Sequence, residues 1–394
     1  MRFNIDPSSW KRVIFGEVVA NVNDYFDAKR DGRLPYVAGP HINSGDPTVA
    51  GYGSTDDDRF PPTFKRKFRD GDVLLHSRGI DKLAAVDRAG VTGEKLFVLR
   101  SLDERVLLQD YLLWLLLGPE AQARMKDNFT GSVNKFLNWK PLASLEFSLP
   151  PLDEQKRIAD LLWMLERHRR AVAETGVSVD RSDEAWLESV YSTPGQPHVS
   201  VADLIADGAI RLLTGPFGSA LASSEYTTYG VPVIHPSFIV DGRLTVDEKS
   251  FVSPGTASRL SRWQVMEGDI VFMRKRDVTR SGIVTPDERG WILGSDCILV
   301  RVDQDRLCPD YVRAMLRSPS ARAELLRRAP GTAMPGINER SLSALQLPLV
   351  TLTRQREVVA DWQSFEQARL GCRREISQLF ALRSSLLADI FGGN

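Results

Sequence analysis

The sequence has only three cysteines, Cys297, Cys308 and Cys372, too few and too scattered for a disulfide framework or a tetrahedral metal site, as expected for a chain kept in a reducing compartment. It has no net charge: 51 basic residues balance 51 acidic ones, so any attraction to a polyanion must come from local clusters. It lacks a long apolar run, the longest being Tyr111 to Leu117, far short of a membrane span. The first residues, Met-Arg-Phe-Asn-Ile-Asp-Pro, contain no apolar signal segment. A cytoplasmic protein with no membrane partner is the expectation. A P-loop, a Gly-x-Gly-x-x-Gly turn and an Asn/Asp-Pro-Pro-Tyr/Phe element are also missing, which argues against nucleotide hydrolysis, dinucleotide chemistry and base methylation by this chain. The five histidines lie apart from any Cys or carboxylate pair at metal-ligand spacing.

The chain does have 394 residues, more than one hydrophobic core usually serves, and it repeats itself. At an offset of 200, Asp110-Tyr111 meets Asp310-Tyr311, Pro119 meets Pro319, Gly131 meets Gly331 and Asn138 meets Asn338. Leu142, Leu145, Leu152 and Gln155 continue the register onto Leu342, Leu345, Leu352 and Gln355. Upstream, Gly71-Asp72-Val73-Leu74 pairs with Gly268-Asp269-Ile270-Val271 at an offset of 197. Matches of Asp-Tyr, Pro, Gly, Asn and Gln in one register mark a duplication.

Each half begins with strands punctuated by Gly and Pro and ends in helices. In the first half 72–76 and 96–99 read as strands and 107–128 as a helix; in the second, 269–273 and 298–302 are strands and 309–328 is a helix. A long amphipathic helix closes each half. Ile158, Leu162, Leu165, Val172, Val179, Trp186 and Val190 recur at threes and fours, and so do Val358, Trp362, Phe365, Cys372, Ile376, Leu379, Leu386 and Ile390. Helices of ~35 residues extend ~50 Å, longer than one core requires, so they are expected to pack on each other and on partners. Their apolar faces should partly await those partners. Gly176 is the weak point of the first helix, and Thr193-Pro194-Gly195-Gln196-Pro197 ends it. The division is therefore residues 1–150, a first globular domain; 151–194, its helix; 195–350, a second domain; and 351–394, the second helix.

Against a neutral background, basic residues cluster in equivalent loops. Lys65, Arg66, Lys67 and Arg69 precede the Gly-Asp strand of the first half, Arg78 and Lys82 follow it, and Lys135 sits in the Thr130-Gly131-Ser132 loop. In the second half Arg274, Lys275, Arg276 and Arg280 follow the matching strand. Duplicated basic loops point to phosphate and base-edge contacts on nucleic acid. A different reading makes the chain a metal-dependent nuclease, with Asp56, Asp57 and Asp58 or Asp247 and Glu248 at a metal centre; a third makes it a scaffold without chemistry.

Leu149-Pro150-Pro151-Leu152-Asp153-Glu154-Gln155-Lys156-Arg157-Ile158, echoed in weaker form by residues 347–357, resembles the junction between target-recognition domain and conserved helix in the specificity subunits of type I restriction-modification systems. The resemblance spans the whole chain. It implies an α+β protein of two tandem α/β target-recognition domains separated by two long helices that pair as an antiparallel coiled coil. It further implies that each domain reads half of a bipartite site on double-stranded DNA, with the helices as spacer. Methyltransferase subunits, two per chain, would dock there carrying S-adenosylmethionine, which this chain does not itself bind, and a translocating restriction subunit could join. Ile158, Leu162, Leu165, Trp186, Trp362, Phe365, Ile376 and Leu379 would form the helix and partner interface. A related phage-defence modification system is the alternative setting.

Overall fold

The computed structural model describes residues 10–58, 60–132, 135–240, 242–247, 249–275, 280–328 and 336–392. The chain divides into two compact units, one comprising Met1–Ala173 with Arg374–Asn394 and the other Glu174–Arg373. Each long helix is therefore shared between units rather than standing as a domain of its own.

In the first unit, strands Val19–Asn21, Leu96–Ser101, Val73–His76 and Gly79–Ala85 form an antiparallel sheet in that spatial order. Its strands are apolar on consecutive residues because both faces are covered. Val73, Leu75, Leu83 and Leu99 pack against Tyr111, Trp114, Ile158 and Leu162, whereas Leu74, Ala84 and Val98 on the opposite face meet Val37 and Ile42. A smaller mixed sheet orders Gly53–Ser54, Pro35–Val37, Gly90–Thr92 and Arg66–Phe68, with the middle two parallel. A ribbon of Lys11–Ile14 with Glu146–Leu149 ties the beginning of the domain to the entrance of the long helix.

The second unit repeats this plan. Its antiparallel sheet runs Ile210–Thr214, Cys297–Val302, Ile270–Met273 and Ser281–Ile283, and its ribbon pairs His198–Ser200 with Gln346–Pro348. Ile270 and Phe272 face Tyr311, Val358 and Trp362, and Val271 faces Ile234 and Leu293.

Two expectations need correction. The helix expected over 107–128 is two, Gln109–Leu117 and Pro119–Asp127, broken at Gly118; its counterpart is likewise Pro309–Arg317 and Pro319–Arg328. A proline at the first position of each second helix lacks the N–H that continuation would require. Gly176 does not interrupt the first long helix, which is continuous over Leu152–Tyr191 and matched by Leu352–Phe391. A Cβ placed on Gly176 would stand 3.7 Å from Cys372 Cβ, an ordinary contact, so the glycine marks a close helix approach and not a break. The apolar helix faces are in part buried against their own units. Ile158 and Leu162 are fully buried in the first core and Trp362 in the second.

Within each unit the two long helices run antiparallel. In the first, Glu166 meets Arg383 at 3.3 Å and His168 meets Glu375 at 2.8 Å. In the second, Asp180 accepts from Arg369 at 2.6 Å and Asp183 from the Trp362 indole at 2.9 Å. Partner numbers fall as residue numbers rise. Trp186 and Phe365 pack with ring centroids 5.8 Å apart, Leu165 is half-buried against the first core, and Ile376 and Leu379 are half-buried on the second helix.

Candidate nucleic-acid interface

The Gly-Asp strand is anchored identically in both units. Gly71 and Gly268 have φ of +81° and +84°, values that a side chain would strain. The aspartate that follows is buried and bound by an arginine fork from the neighbouring strand. Asp72 accepts from Arg100 at 2.7 Å through each oxygen, and Asp269 accepts from Arg301 at 2.7 and 2.6 Å. One oxygen of each also accepts a backbone N–H, from Arg69 at 2.8 Å and from Met266 at 2.7 Å. The strand that delivers the basic loop is thereby fixed at its start.

The far end of the strand is fixed by a second repeated device. In the first unit Ser77 donates its N–H to the Lys95 carbonyl at 2.8 Å and accepts from Leu137 N–H at 2.7 Å. In the second, Arg274 donates to the Asp296 carbonyl at 2.9 Å and accepts from Ile337 N–H at 2.8 Å. Ser77 and Arg274 are thus equivalent, and each joins three chain segments at one sheet edge.

The side chains at these equivalent places differ. Around His76 the first unit gathers Arg78, Lys82 and Lys95; burial lowers the His76 pKa most, and these three cations lower it further. Arg78 and Lys95 are exposed, and Lys135 stands exposed two residues before Leu137. Lys95 went unnoticed in the sequence because it lies in an isolated turn, joined to the cluster only by strand pairing. In the second unit the place of Lys95 is taken by Asp296, which forms an ion pair with Lys275 at 3.0 Å. Arg274 stacks its guanidinium 4.6 Å from the ring centroid of Phe217, a side chain 49% exposed, and donates to the Ile337 carbonyl at 3.3 Å. Arg276 lies outside the described residues. Arg280 is exposed and faces a separate cleft.

The cluster preceding the first strand separates into roles. Lys65 is exposed, its ammonium 6.0 Å from the ring centroid of Tyr25, which is 60% exposed, and the Arg69 side chain is exposed as well. Arg66 instead turns inward, donating to Asn21 Oδ1 at 3.3 Å and the Leu96 carbonyl at 3.0 Å. Burial lowers its pKa, and its Nε has no partner. Lys67 is paired with Asp31 at 3.2 Å. Arg66 therefore ties the small sheet to the larger one and Lys67 ties it to Asp31, and a run of alternating strand residues could not all have faced one ligand.

Two of the acidic candidates are seen in local contacts. Asp56 pairs with Arg33 at 2.6 Å, and Asp247 accepts from the Ser250 hydroxyl at 2.7 Å and from Lys249 N–H at 2.9 Å; Glu248 lies outside the described residues. Among the described residues no three His, Cys, Asp or Glu side chains converge as a metal site, and no helix is long and apolar enough to cross a membrane.

The motif glutamines act at the helix entrances. Gln155, fully buried, accepts from Leu108 N–H at 2.9 Å and donates to the carbonyls of Val106 and Pro150, both at 2.9 Å. Gln355 accepts from Cys308 N–H at 2.8 Å and donates to Val350 at 2.9 Å and Arg306 at 3.4 Å. Each locks the long helix to the loop that starts the broken helix pair.

Residues 8–174 match the family model described as type I restriction modification DNA specificity domain. No curated protein matches the chain by sequence. Among solved structures, one from a study of complex assembly and conformational transition of the type I R-M system is similar at a TM-score of 0.60 and 18% identity, covering 99% of each chain. The type I restriction-modification S subunit from M. genitalium is similar at a TM-score of 0.58 and 14% identity, covering 98% of this chain and 96% of that one.

Proposed function

We propose that this chain is a specificity protein of a type I restriction-modification system and supplies the address for a methyltransferase complex, each unit binding one half of a bipartite site on double-stranded DNA. The observation that carries the reading is the duplicated loop platform: the same Gly-Asp anchor and the same three-segment junction present different side chains in the two units, Arg78, Lys82, Lys95 and Lys135 in one and Arg274 over Phe217 in the other. A shared scaffold with divergent loop chemistry is what reading two different half-sites requires, since phosphate contacts position a protein and base-edge contacts specify. The chain contributes recognition and no catalytic step. S-adenosylmethionine belongs to the methyltransferase partners, two per chain, in a cytoplasmic assembly that a restriction subunit can join.

A metal-dependent nuclease has no support, because Asp56 and Asp247 are occupied by Arg33 and by Ser250 and Lys249. The setting in a related phage-defence modification system is distinguished by whether a restriction subunit is encoded beside the chain. The test is single-molecule methylation mapping in a host expressing the chain with its neighbour-encoded methyltransferase. A bipartite motif with an unread gap, lost when the chain is omitted, is the expected result; methylation independent of the chain would refute the reading.

A further inference from the structure

The second unit contains a cleft of about 580 Å³ lined, among the described residues, by six arginines and four carboxylates. Its floor is an ion-pair network. Glu366 accepts from Arg317 at 3.1 Å and from Arg313 at 3.3 Å, and also from Arg369, which reaches Asp183 at 2.5 Å as well. The Arg313 and Arg317 guanidiniums stand 5.0 and 5.4 Å from the Trp362 ring centroid.

Anchoring the long helix does not explain the arginines. In the duplicated first unit the positions of Arg313 and Arg317 are held by Leu113 and Leu117, and Leu113 is fully buried in that core. The fold thus closes the same joint with leucine. Replacing a buried apolar residue by an ion pair is on average no gain in stability, because desolvation offsets the attraction.

The network is also unbalanced. Among the described residues six guanidiniums offer about thirty N–H donors, whereas the four lining carboxylates together with Asp310, 4.0 Å from Arg313, offer about twenty lone-pair positions. The excess is visible in particular groups. Arg313 is 6% exposed and its Nε has no acceptor among the described residues, while burial and the neighbouring Arg317 lower its pKa. Arg280, at the cleft wall, has no side-chain partner among the described residues. A ligand that only accepts hydrogen bonds and carries negative charge would satisfy Arg280 and offset the buried charge of Arg313, and guanidinium forks match the oxygens of phosphate.

We propose that this cleft is a phosphate-binding site of the second unit, engaging either a backbone phosphate of the bound duplex or a free polyphosphate. Only the duplex source rests on the function proposed above.

The test uses the full chain and its complex with methyltransferase. Tripolyphosphate titrated calorimetrically into the full chain binds in the wild type and at least ten-fold more weakly in Arg280→Ala, a surface change, and in Arg313→Leu, which installs the first unit's residue. In the complex, the salt dependence of DNA binding is measured for the same variants. Slopes reduced by ~1 per variant assign the site to the duplex backbone; unchanged slopes with weakened tripolyphosphate binding assign it to a free polyphosphate. If neither measurement responds to either variant, the cleft is not a phosphate site. Bipartite methylation by the wild-type complex, measured alongside, separates that failure from failure of the DNA reading.

Discussion

Asp72 and Arg100 lie on different strands and meet through two hydrogen bonds of 2.7 Å, the aspartate 1% exposed. Their counterparts Asp269 and Arg301 meet the same way. A buried carboxylate held by a fork and a backbone N–H turns the Gly-Asp motif from a sequence pattern into the fixed start of the strand that leads to the basic loop.

Removing one member of that pair strands the other. Arg100→Met should destabilise the protein by about 3 kcal/mol, read from the shift in urea unfolding, because Asp72 keeps only the Arg69 N–H. The double variant Asp72→Leu/Arg100→Met should recover much of the loss. A double variant as unstable as the sum of the single ones would show that the two side chains act independently.

The glutamine locks make a graded comparison. Gln155→Ala leaves the Leu108 N–H and two carbonyls without partners, and about 2–3 kcal/mol should be lost. Gln355→Ala should cost less, since its Arg306 contact is already long at 3.4 Å. Chemical denaturation of both variants checks the order.

Glu366 sets an acid limit. Burial raises its pKa, but Arg313, Arg317 and Arg369 together outweigh burial and hold it below the usual glutamate value. A folded-state pKa below the unfolded value of about 4.3 means that the contribution is present above that pH and lost as pH falls through the lower folded value. Glu366→Gln should therefore destabilise the protein at pH 7 and approach the wild type in stability below about pH 4. A constant difference across urea melts at pH 7, 5 and 3.5 would contradict this.

The basic residues should sort by DNA-binding salt dependence. Arg78→Ala, Lys95→Ala and Lys135→Ala should each lower the slope of the complex by ~0.9, as lost phosphate contacts do. Arg66→Ala should leave the slope unchanged and reduce stability, because its guanidinium holds Asn21 and Leu96. Equal slopes in all four variants would remove the His76 patch from the interface.

By itself the sequence determined the duplication, the Gly-Asp strand and one further strand of each half, and both long helices. These are local or periodic properties: a repeat register survives any packing, and an apolar spacing of threes and fours commits a segment to a helix wherever it lies. Tertiary structure decided what each charged side chain does. Lys65, Arg66 and Lys67 read as one cluster, yet pleating turns them to a tyrosine, the protein interior and an aspartate. Lys95 joins Arg78 and Lys82 only because strand pairing brings their segments together. Arg313 and Arg317 look like ordinary helix-surface arginines until Trp362 and Glu366 close over them from a helix some fifty residues away. Charge acquires its role from distance and burial, and neither is a property of the sequence neighbourhood.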